Sequence, residues 1–254
     1  MTDLSPFSLE GRTVLVTGAN TGIGQGIAVA VARAGGHVLA VARSSLDHTA
    51  RQVADVHGTC DTIHCDLSDL SSALSMLATQ WERVGPIHGL VNNAGIIRRA
   101  DSTDLSETDW DEVIDLNLKA TFFLCQAYGK LVFSASGRGK IVNIASLLSF
   151  QGGIRVASYT ASKHGVAGIT QVLCNEWAAK GININAIAPG YIESNNTAAL
   201  RADPNRSASI LSRIPAGRWG QPSDIGDATV FLLSNASNYM HGAIVPVDGG
   251  WLAR

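Results

Sequence analysis

The chain has 254 residues, a formal charge of −2 and 46% hydrophobic residues. This length and hydrophobic content suit a single globular domain over residues 1–254. The near-neutral charge offers no long-range attraction to nucleic acid or an anionic membrane, and no run of lysine and arginine creates a local one. No apolar run is long enough to cross a bilayer, and residues 1–6 lack the basic and apolar regions of a signal peptide. We therefore expect a cytoplasmic protein with no nucleic-acid or membrane partner.

The cysteines and histidines are scattered along the chain and form no recognisable site. There are four cysteines and seven histidines, without CxxC or HExxH spacing. In a chain of this length, isolated cysteines are typical of free thiols in a reducing compartment. The sequence predicts no metal site.

Short β-branched runs alternate with segments of helical periodicity. In chain order, the predicted elements are a strand at 13–17, a helix at 22–34, strands at 38–42 and 62–64, a helix at 70–84, a strand at 89–91, a helix at 107–133, a strand at 140–144, a helix at 159–180, a strand at 182–188, a helix at 223–233 and a strand at 244–247. Apolar strands alternating with helices predict a parallel sheet covered on both faces. The expected fold is a Rossmann-type, doubly wound α/β domain with a seven-stranded parallel sheet and right-handed crossovers.

Residues 191–218 are the least regular part of the chain, rich in asparagine, serine and arginine. They follow the carboxyl end of the sixth predicted strand, which is where ligands bind in an open α/β sheet. We predict that this segment forms a lid over the substrate.

A glycine-rich turn joins the first predicted strand to the first predicted helix. Glycines there let the backbone approach a pyrophosphate, and the helix N-terminus supplies free N–H groups and a positive dipole end. Many strand-to-helix turns contain glycine for backbone reasons alone, but this one has the strand before it and the helix after it that a dinucleotide site needs. The expected cofactor-binding residues of the turn are Gly18, Asn20, Thr21, Gly22, Ile23 and Gly24.

The end of the second predicted strand carries information about the cofactor. An acidic residue there would bind a ribose 2′-hydroxyl, whereas an arginine would accommodate a 2′-phosphate. No carboxylate occupies this position, and Arg43 follows Ala42 directly. This favours NADP(H) slightly over NAD(H), which stays possible, because Arg43 is equally interpretable as a solvated residue after a strand.

The helix predicted at 159–180 begins with a tyrosine, and polar residues of two strand ends are expected near it. Tyr159 and Lys163 are four residues apart and share one helical face. A nearby ammonium lowers the pKa of a phenol, so the pair can act as an acid/base unit. Ser146 follows the fifth predicted strand, and Asn92–Gly95 ends the fourth, both at the edge that faces a cofactor in this architecture.

Together these motifs resemble the short-chain dehydrogenase/reductase family over the full length of the chain. Residues 17–24 resemble its TGxxxGxG turn, residues 92–95 its NNAG segment and residues 159–163 its YxxxK pair. The resemblance implies a nicotinamide cofactor that exchanges hydride with a secondary alcohol or ketone. It also implies a catalytic tetrad of Asn117, Ser146, Tyr159 and Lys163, in which Asn117 holds a water that links Lys163 to solvent.

The same resemblance implies further cofactor contacts. Asp66 would bind the adenine amine, and the residue that follows Gly190 and Tyr191 would contact the carboxamide. A threonine usual in the family is Ser194 here. The residues implied beyond the turn are Arg43, Asp66, Leu67, Asn93, Ala94, Gly95, Tyr159, Lys163, Pro189, Gly190, Ile192 and Ser194.

Within the family, residues 146–155, 175–177, 213–220 and 247–254 resemble members that act on sugar acids of the 2-deoxy-D-gluconate or 2-dehydro-3-deoxy-D-gluconate type. Many of these use NAD, and the ending resembles that of family homotetramers. A sugar acid needs a cation for its carboxylate, for which arginine is well suited. The expected substrate-binding residues are Arg98, Arg99, Gln151 and Arg155, although each arginine is also interpretable as a surface ion-pair partner.

Two other functions share these motifs. A 3-oxoacyl thioester reductase has the same motifs, and its usual NADPH fits Arg43. A dinucleotide-sensing regulator on the same fold can keep the glycine turn while losing the tetrad. All four tetrad positions are present here, which favours an enzyme.

Overall fold

The computed structural model describes residues 4–254, so the first three residues, with which the signal-peptide expectation begins, lie outside it. Its strands are β1 (Thr13–Thr17), β2 (His37–Ala42), β3 (Thr59–His64), β4 (Gly89–Asn92), β5 (Gly139–Ile144), β6 (Ile182–Pro189) and β7 (Ile244–Val247). Its helices are α1 (Gly22–Arg33), α2 (Asp47–Asp55), α3 (Leu70–Val84), α4 (Glu107–Ile114), α5 (Thr121–Ser134), α6 (Ala157–Trp177), α7 (Ala198–Ala202), α8 (Pro204–Leu211) and α9 (Pro222–Leu233). A π-helical segment, Asp115–Ala120, joins α4 to α5.

The strands form one parallel sheet in the order β3-β2-β1-β4-β5-β6-β7. This confirms the predicted doubly wound, seven-stranded α/β fold. The central strands are buried along their whole length, as β5 and β4 illustrate. The strand order reverses between β1 and β4, and the crevice at such a reversal is the usual ligand site of this architecture.

Two apolar cores cover the two faces of the sheet. One packs α1 and α9 against the sheet through residues such as Ile27, Val31 and Leu232. The other packs α3, α5 and α6 against the opposite face, with Leu77, Tyr128 and Trp177 among its members. Burial on both faces explains why the strands are near-continuous apolar runs rather than alternating ones.

Helices α1 and α9 approach each other closely because small residues face one another. A Cβ on Gly226 would lie 2.7 Å from the carbonyl oxygen of Gly26, and one on Gly26 would lie 2.5 Å from Cβ of Pro222. The close packing holds the helix that follows the glycine turn against the helix that follows the predicted lid.

The structure departs from the predicted elements in several places. Helix α2 was not predicted, and neither were α7 and α8 within the lid segment, because these helices are short and bury few residues. Strand β3 begins at Thr59, earlier than predicted, and as an edge strand it is only partly buried. The predicted helix at 107–133 contains the π-helical segment, and α6 begins at Ala157, so Tyr159 lies in its first turn.

The four cysteines are free thiols. Within residues 4–254, no helix is both long and apolar enough to span a membrane. In the same residues, no three His, Cys, Asp or Glu side chains are grouped to hold a metal ion.

Candidate active site

The glycine turn between β1 and α1 is shaped to receive a phosphate group. Gly18 and Gly22 have φ angles of 63° and 55°, a backbone region that glycine adopts without strain. A Cβ on Gly24 would overlap the carbonyl oxygen of Gly18, so the helix lies against the strand end only because Gly24 has no side chain. Thr21, at the N-cap of α1, makes no side-chain cap hydrogen bond. A bare helix N-terminus behind a glycine turn fits the pyrophosphate of a dinucleotide.

The Asn92–Gly95 segment fixes this turn from the neighbouring strand. The Asn93 side-chain amide donates to the carbonyl oxygens of Thr17 at 2.9 Å and Gly18 at 3.2 Å. The Thr17 hydroxyl accepts the backbone N–H groups of Asn93 at 3.0 Å and Ala94 at 3.1 Å. These hydrogen bonds join the carboxyl ends of β1 and β4 into one rigid edge.

The carboxyl end of β2 forms the next part of the site. The Asn20 amide donates to the Ser44 hydroxyl at 2.8 Å, which connects the glycine turn to the residue after Arg43. Hydrogen bonds from the backbone and hydroxyl of Ser68 lower the pKa of Asp66, and the charge of Arg43 adds to this effect. Asp66 is therefore ionised at neutral pH and available as an acceptor.

Tyr159, Ser146 and Lys163 come together below this edge. Burial raises the pKa of the Tyr159 phenol above its ordinary value, while the hydrogen bond with the Ser146 side chain and the charge of Arg99 act in the opposite direction. The phenol is therefore protonated at neutral pH. Burial therefore outweighs the effects of Ser146 and Arg99, and the lowering of the phenol pKa by Lys163 stays a prediction.

Lys163 is buried, and its ammonium donates to the carbonyl oxygen of Ile144 at 2.6 Å. Burial lowers the pKa of Lys163 to about 8. Its Nζ lies 5.6 Å from the centre of the Tyr159 ring. The Ser149 hydroxyl donates to the backbone carbonyl of Lys163 at 2.6 Å, which ties the segment after β5 to α6.

Asn117 lies in the π-helical segment, and its side chain is hydrogen-bonded to two other residues of the protein, Ile96 and Ser162. Its Oδ1 accepts from the Ile96 backbone N–H at 2.9 Å, and its Nδ2 donates to the Ile96 carbonyl at 2.9 Å and to the Ser162 hydroxyl at 3.2 Å. Ser162 in turn donates to the Tyr159 carbonyl at 2.8 Å. The side chain of Asn117 thus braces the loop after β4 against the turn of α6 that carries Tyr159.

The glycine turn, the ends of β2 and β4, Tyr159 and Lys163 surround a cleft of about 360 Å³ at the reversal of strand order, whereas Ser146 and Asn117 do not line it. Most of the predicted cofactor residues line it, namely Gly18, Asn20, Thr21, Gly22, Ile23, Gly24, Arg43, Asp66, Leu67, Asn93, Ala94, Gly95, Tyr159, Lys163 and Ser194. Pro189, Gly190 and Ile192 do not line it. Ile192 is instead buried and forms a bridge with Gly220.

Eight further residues line the cleft without having been predicted, namely Ala42, Ser44, Cys65, Ile96, Leu116, Ile144, Asn195 and Asn196. Most directly precede or follow a predicted residue, so extending each motif by one position would have found them. Asn196 lies in the predicted lid segment two residues after Ser194, and the fold brings it to the cleft.

The predicted substrate arginines have different surroundings. Arg98 forms ion pairs with Asp109 at 3.2 Å and Glu112 at 2.7 Å. Arg155 has a positive φ of 64° and pairs with Asp101 at 3.2 Å. Each of these two guanidinium groups is thereby partly neutralised.

Arg99 is different. Within the part of the chain that the structure describes, Arg99 forms no ion pair, and its Nη2 donates to the Asn196 carbonyl at 3.1 Å. Its charge acts on Tyr159. Arg99 therefore lies between the catalytic tyrosine candidate and the lid segment with its charge uncompensated.

Gln151 does not line the cleft. Its Oε1 accepts the indole N–H of Trp251 at 3.4 Å. Trp251 belongs to an aromatic group with Tyr191, at 4.7 Å between ring centres, and the guanidinium of Arg213 lies 4.0 Å from its ring. This group anchors both ends of the lid segment to residues 251–253.

Comparison with known proteins agrees with this geometry. The family profile described as enoyl-(acyl carrier protein) reductase matches residues 18–252. A 2-dehydro-3-deoxy-D-gluconate 5-dehydrogenase of Escherichia coli (strain K12) is 51% identical over 251 residues, which cover 99% of each chain. A protein of the same name from Bacillus subtilis (strain 168) is 51% identical over 249 residues, covering 98% of this chain and 97% of that one.

Among solved structures, one from Agrobacterium tumefaciens contains bound NADP and is provisionally identified as a 2-deoxy-D-gluconate 3-dehydrogenase. It is 61% identical, has a TM-score of 0.94, and the match covers 98% of this chain and 99% of that one. Similarity of this extent, over almost the whole chain, shows common membership rather than a shared motif. The chain belongs to the short-chain dehydrogenase/reductase family of NAD(P)-dependent oxidoreductases that act on CH–OH groups.

Proposed function

We propose that the protein is an NADP(H)-preferring dehydrogenase of a sugar acid of the 2-dehydro-3-deoxy-D-gluconate or 2-deoxy-D-gluconate type. The relatives with these names support the substrate class. The observation that carries the proposal is the guanidinium of Arg99, which forms no ion pair within residues 4–254 and whose charge acts to lower the pKa of the Tyr159 phenol. An acid/base group next to a free cation suits a substrate with both a carbinol carbon and a carboxylate.

Tyr159 exchanges a proton with the substrate oxygen in this proposal. Bound nicotinamide dinucleotide supplies or accepts the hydride. The Ser146 hydroxyl, which acts to lower the pKa of the phenol, orients and polarises the same oxygen. Because burial keeps the phenol protonated at neutral pH, Tyr159 is ready to donate to a ketone, and it must first lose a proton before it can accept one from an alcohol.

Lys163 and Asn117 hold the reacting groups in place. Lys163 binds the ribose hydroxyls, and its ammonium is directed by the Ile144 carbonyl. Asn117 acts as a positioning residue through Ile96 and Ser162, and its proposed role of holding a water rests on the family resemblance.

The lid and the assembly complete the proposal. Residues 191–218 close over the substrate, with Asn196 touching Arg99 at the cleft. The backbone of Ile192, which follows Pro189 and Gly190 after the end of β6, would contact the nicotinamide carboxamide, as the family resemblance implies. The protein assembles as a homotetramer, as the resemblance of its ending to family tetramers implies.

The preference for NADP(H) is assigned to Arg43. Arg43 and Ser44 line the cleft at the end of β2, and the structure from Agrobacterium tumefaciens that is 61% identical contains NADP. Arginine binds phosphate through charge-assisted hydrogen bonds, whereas a carboxylate at this position binds a ribose 2′-hydroxyl.

Arg43→Asp is therefore expected to lower the kcat/KM ratio of NADP⁺ over NAD⁺ by about 100-fold, the scale of a lost charged hydrogen bond plus new repulsion. Steady-state kinetics with both cofactors measure the ratio. Arg51→Asp is a matched control, since Arg51 is exposed on α2 and does not line the cleft. An unchanged ratio in the Arg43 variant, or an equal change in the control, would remove Arg43 from cofactor selection.

The proposed function is tested by assaying the purified protein with 2-deoxy-D-gluconate and with 2-dehydro-3-deoxy-D-gluconate-type ketones, following the absorbance of the reduced cofactor. We expect turnover with these sugar acids and a higher kcat/KM with NADP(H) than with NAD(H). Acetoacetyl thioester serves as the comparison substrate. Faster turnover of the thioester would replace the sugar acid with an oxoacyl substrate, and cofactor binding without turnover of any carbonyl would favour a sensor.

A further inference from the structure

Thr49 lies at the back of the dinucleotide cleft and does not line it. It belongs to α2, the short helix after the end of β2, and its side chain is 0% exposed. Its hydroxyl donates to the Ala19 carbonyl at 2.8 Å and accepts from the Gln25 side-chain amide at 2.9 Å. The hydroxyl thus bonds one residue of the glycine turn as donor and one residue of α1 as acceptor.

The hydrogen bonds continue from Gln25 to the end of β2. The Gln25 amide also donates to the Asn20 carbonyl at 3.2 Å, and the Asn20 side chain donates to Ser44 at 2.8 Å. These hydrogen bonds therefore connect α2 to the glycine turn, and the glycine turn to Ser44 after the end of β2. The chain itself continues from Ser44 into α2. The hydrogen bonds and the chain together form a closed loop of contacts around residues that line the cleft.

The two parts joined by this loop serve different ends of the same ligand. In the proposed function, the glycine turn receives the pyrophosphate, and Arg43 with Ser44 receives the ribose or its 2′-phosphate. A binding site of this kind needs its parts held to within about 0.5 Å, and buried hydrogen bonds behind the contact residues provide that. The neighbouring backbone link, from the Ala19 N–H to the Val41 carbonyl, is long at 3.2 Å.

We propose that Thr49 is a positioning residue that sets cofactor affinity by holding the glycine turn in register with the end of β2. The inference rests on the proposed use of a nicotinamide dinucleotide. It assigns a role to a residue that touches no cofactor, and it places the determinant of cofactor affinity partly on α2. The effect is larger for NADP⁺ than for NAD⁺, because only the 2′-phosphate makes full use of the Asn20–Ser44 side of the loop.

The test is the dissociation constant of NADP⁺ and of NAD⁺, measured by tryptophan fluorescence quenching on the purified full chain. Thr49→Val keeps the shape and removes both hydrogen bonds. We expect it to raise the Kd of NADP⁺ about tenfold, equivalent to about 1.4 kcal/mol, and the Kd of NAD⁺ by a smaller factor. Thr49→Ser restores the hydroxyl and is expected to bind NADP⁺ within about twofold of the native chain.

Thr229→Val is the matched control. Thr229 is also a buried helical threonine, and among residues 4–254 its hydroxyl bonds only the Ile225 carbonyl of its own helix, at 2.8 Å. It is expected to leave both dissociation constants unchanged. Gln25→Met removes the amide that bonds the Thr49 hydroxyl and the Asn20 carbonyl, and residue 25 is only partly buried. It is the test variant if Thr49→Val does not fold. Gln25→Met should raise the Kd of NADP⁺. Where both single variants fold, the double variant should raise this Kd by less than the product of the two single effects.

A native Kd for NADP⁺ in Thr49→Val, or in Gln25→Met where Thr49→Val is unfolded, would overturn the inference. So would a serine variant as weak as the valine variant, or an equal loss in Thr229→Val. Failure of the native chain to bind either dinucleotide would instead overturn the proposed function, so the two failures are distinguishable.

Discussion

Replacing Tyr159 with phenylalanine is expected to lower kcat about 1,000-fold or more in both directions while leaving cofactor affinity within about threefold. The substitution removes only the hydroxyl that exchanges the proton, and a positioned acid/base group contributes about 10²- to 10⁴-fold to such a reaction. The ring stays in place at 5.6 Å from the Lys163 ammonium. Steady-state kinetics with the sugar acid, and the Kd of NADP⁺, measure the two quantities.

Tyr128→Phe controls for the loss of a buried tyrosine hydroxyl elsewhere. The Tyr128 hydroxyl donates to the Ile87 carbonyl at 3.0 Å in the core, away from the cleft, and its removal is expected to leave kcat near the native value. If the Tyr159 variant kept more than about 1% of the native kcat, the loss would be smaller than the loss expected on removing a general acid. That result would assign the proton transfer to another group.

The pH dependence of the native enzyme provides a second test of Tyr159 as the acid/base group. Burial raises the phenol pKa above its ordinary value, so the protonated form that reduces a ketone persists through neutral pH. Reduction should therefore be flat near neutrality and fall in alkaline solution, whereas oxidation should rise with pH. Lys163, whose pKa is lowered to about 8, loses its positive charge above that pH, which further disfavours the phenolate.

Replacing Arg99 with glutamine is expected to lower kcat/KM for a sugar acid about 100-fold, and to lower it far less for a neutral polyol that lacks the carboxylate. The expected size is that of a bidentate, charge-assisted pair between guanidinium and carboxylate. Arg99 is available for this pair because, within residues 4–254, it forms no ion pair and donates a hydrogen bond to the Asn196 carbonyl, 3.1 Å away. Kinetics with the two substrates in parallel separate charge recognition from a general loss of activity.

Arg98→Gln is the matched control from the adjacent position. The Arg98 guanidinium is already paired with Asp109 and Glu112, so its loss should not reproduce the substrate-specific defect. In the Arg99 variant, the alkaline rise of the oxidation rate should also move to higher pH, because the Arg99 charge lowers the Tyr159 pKa. An equal loss with acid and neutral substrates would show that Arg99 does not recognise the carboxylate.

The sheet and the cleft were predictable from sequence because they depend on local pattern. The β-branched runs became the central strands, and the motif residues at three strand ends came together because parallel strands place their carboxyl ends at one edge. Helix α2 was not predictable in the same way. It buries only Thr49 and Val53 within a polar segment, which is too little for a recognisable helical stripe.

The choice among the arginines could not be made from sequence because ion pairing is a long-range property. Arg98 and Glu112 are 14 residues apart, and Arg99 and Asn196 are 97 residues apart. Likewise, the Tyr159–Lys163 spacing predicted the pair but not the burial that raises one pKa and lowers the other. Side-chain environment, unlike side-chain position, is set by elements distant in the chain.

The π-helical segment at Asp115–Ala120 also limits how the chain can change in length. A single-residue insertion or deletion in a surface loop is usually absorbed, but one within 115–120 would turn the flanking helix by about 100° around its axis. Asn117 would then lose Ile96 and Ser162 together, because both contacts depend on one helical register. In evolution and in engineering alike, this stretch should tolerate substitutions at its exposed positions while resisting any shift of frame along the helix.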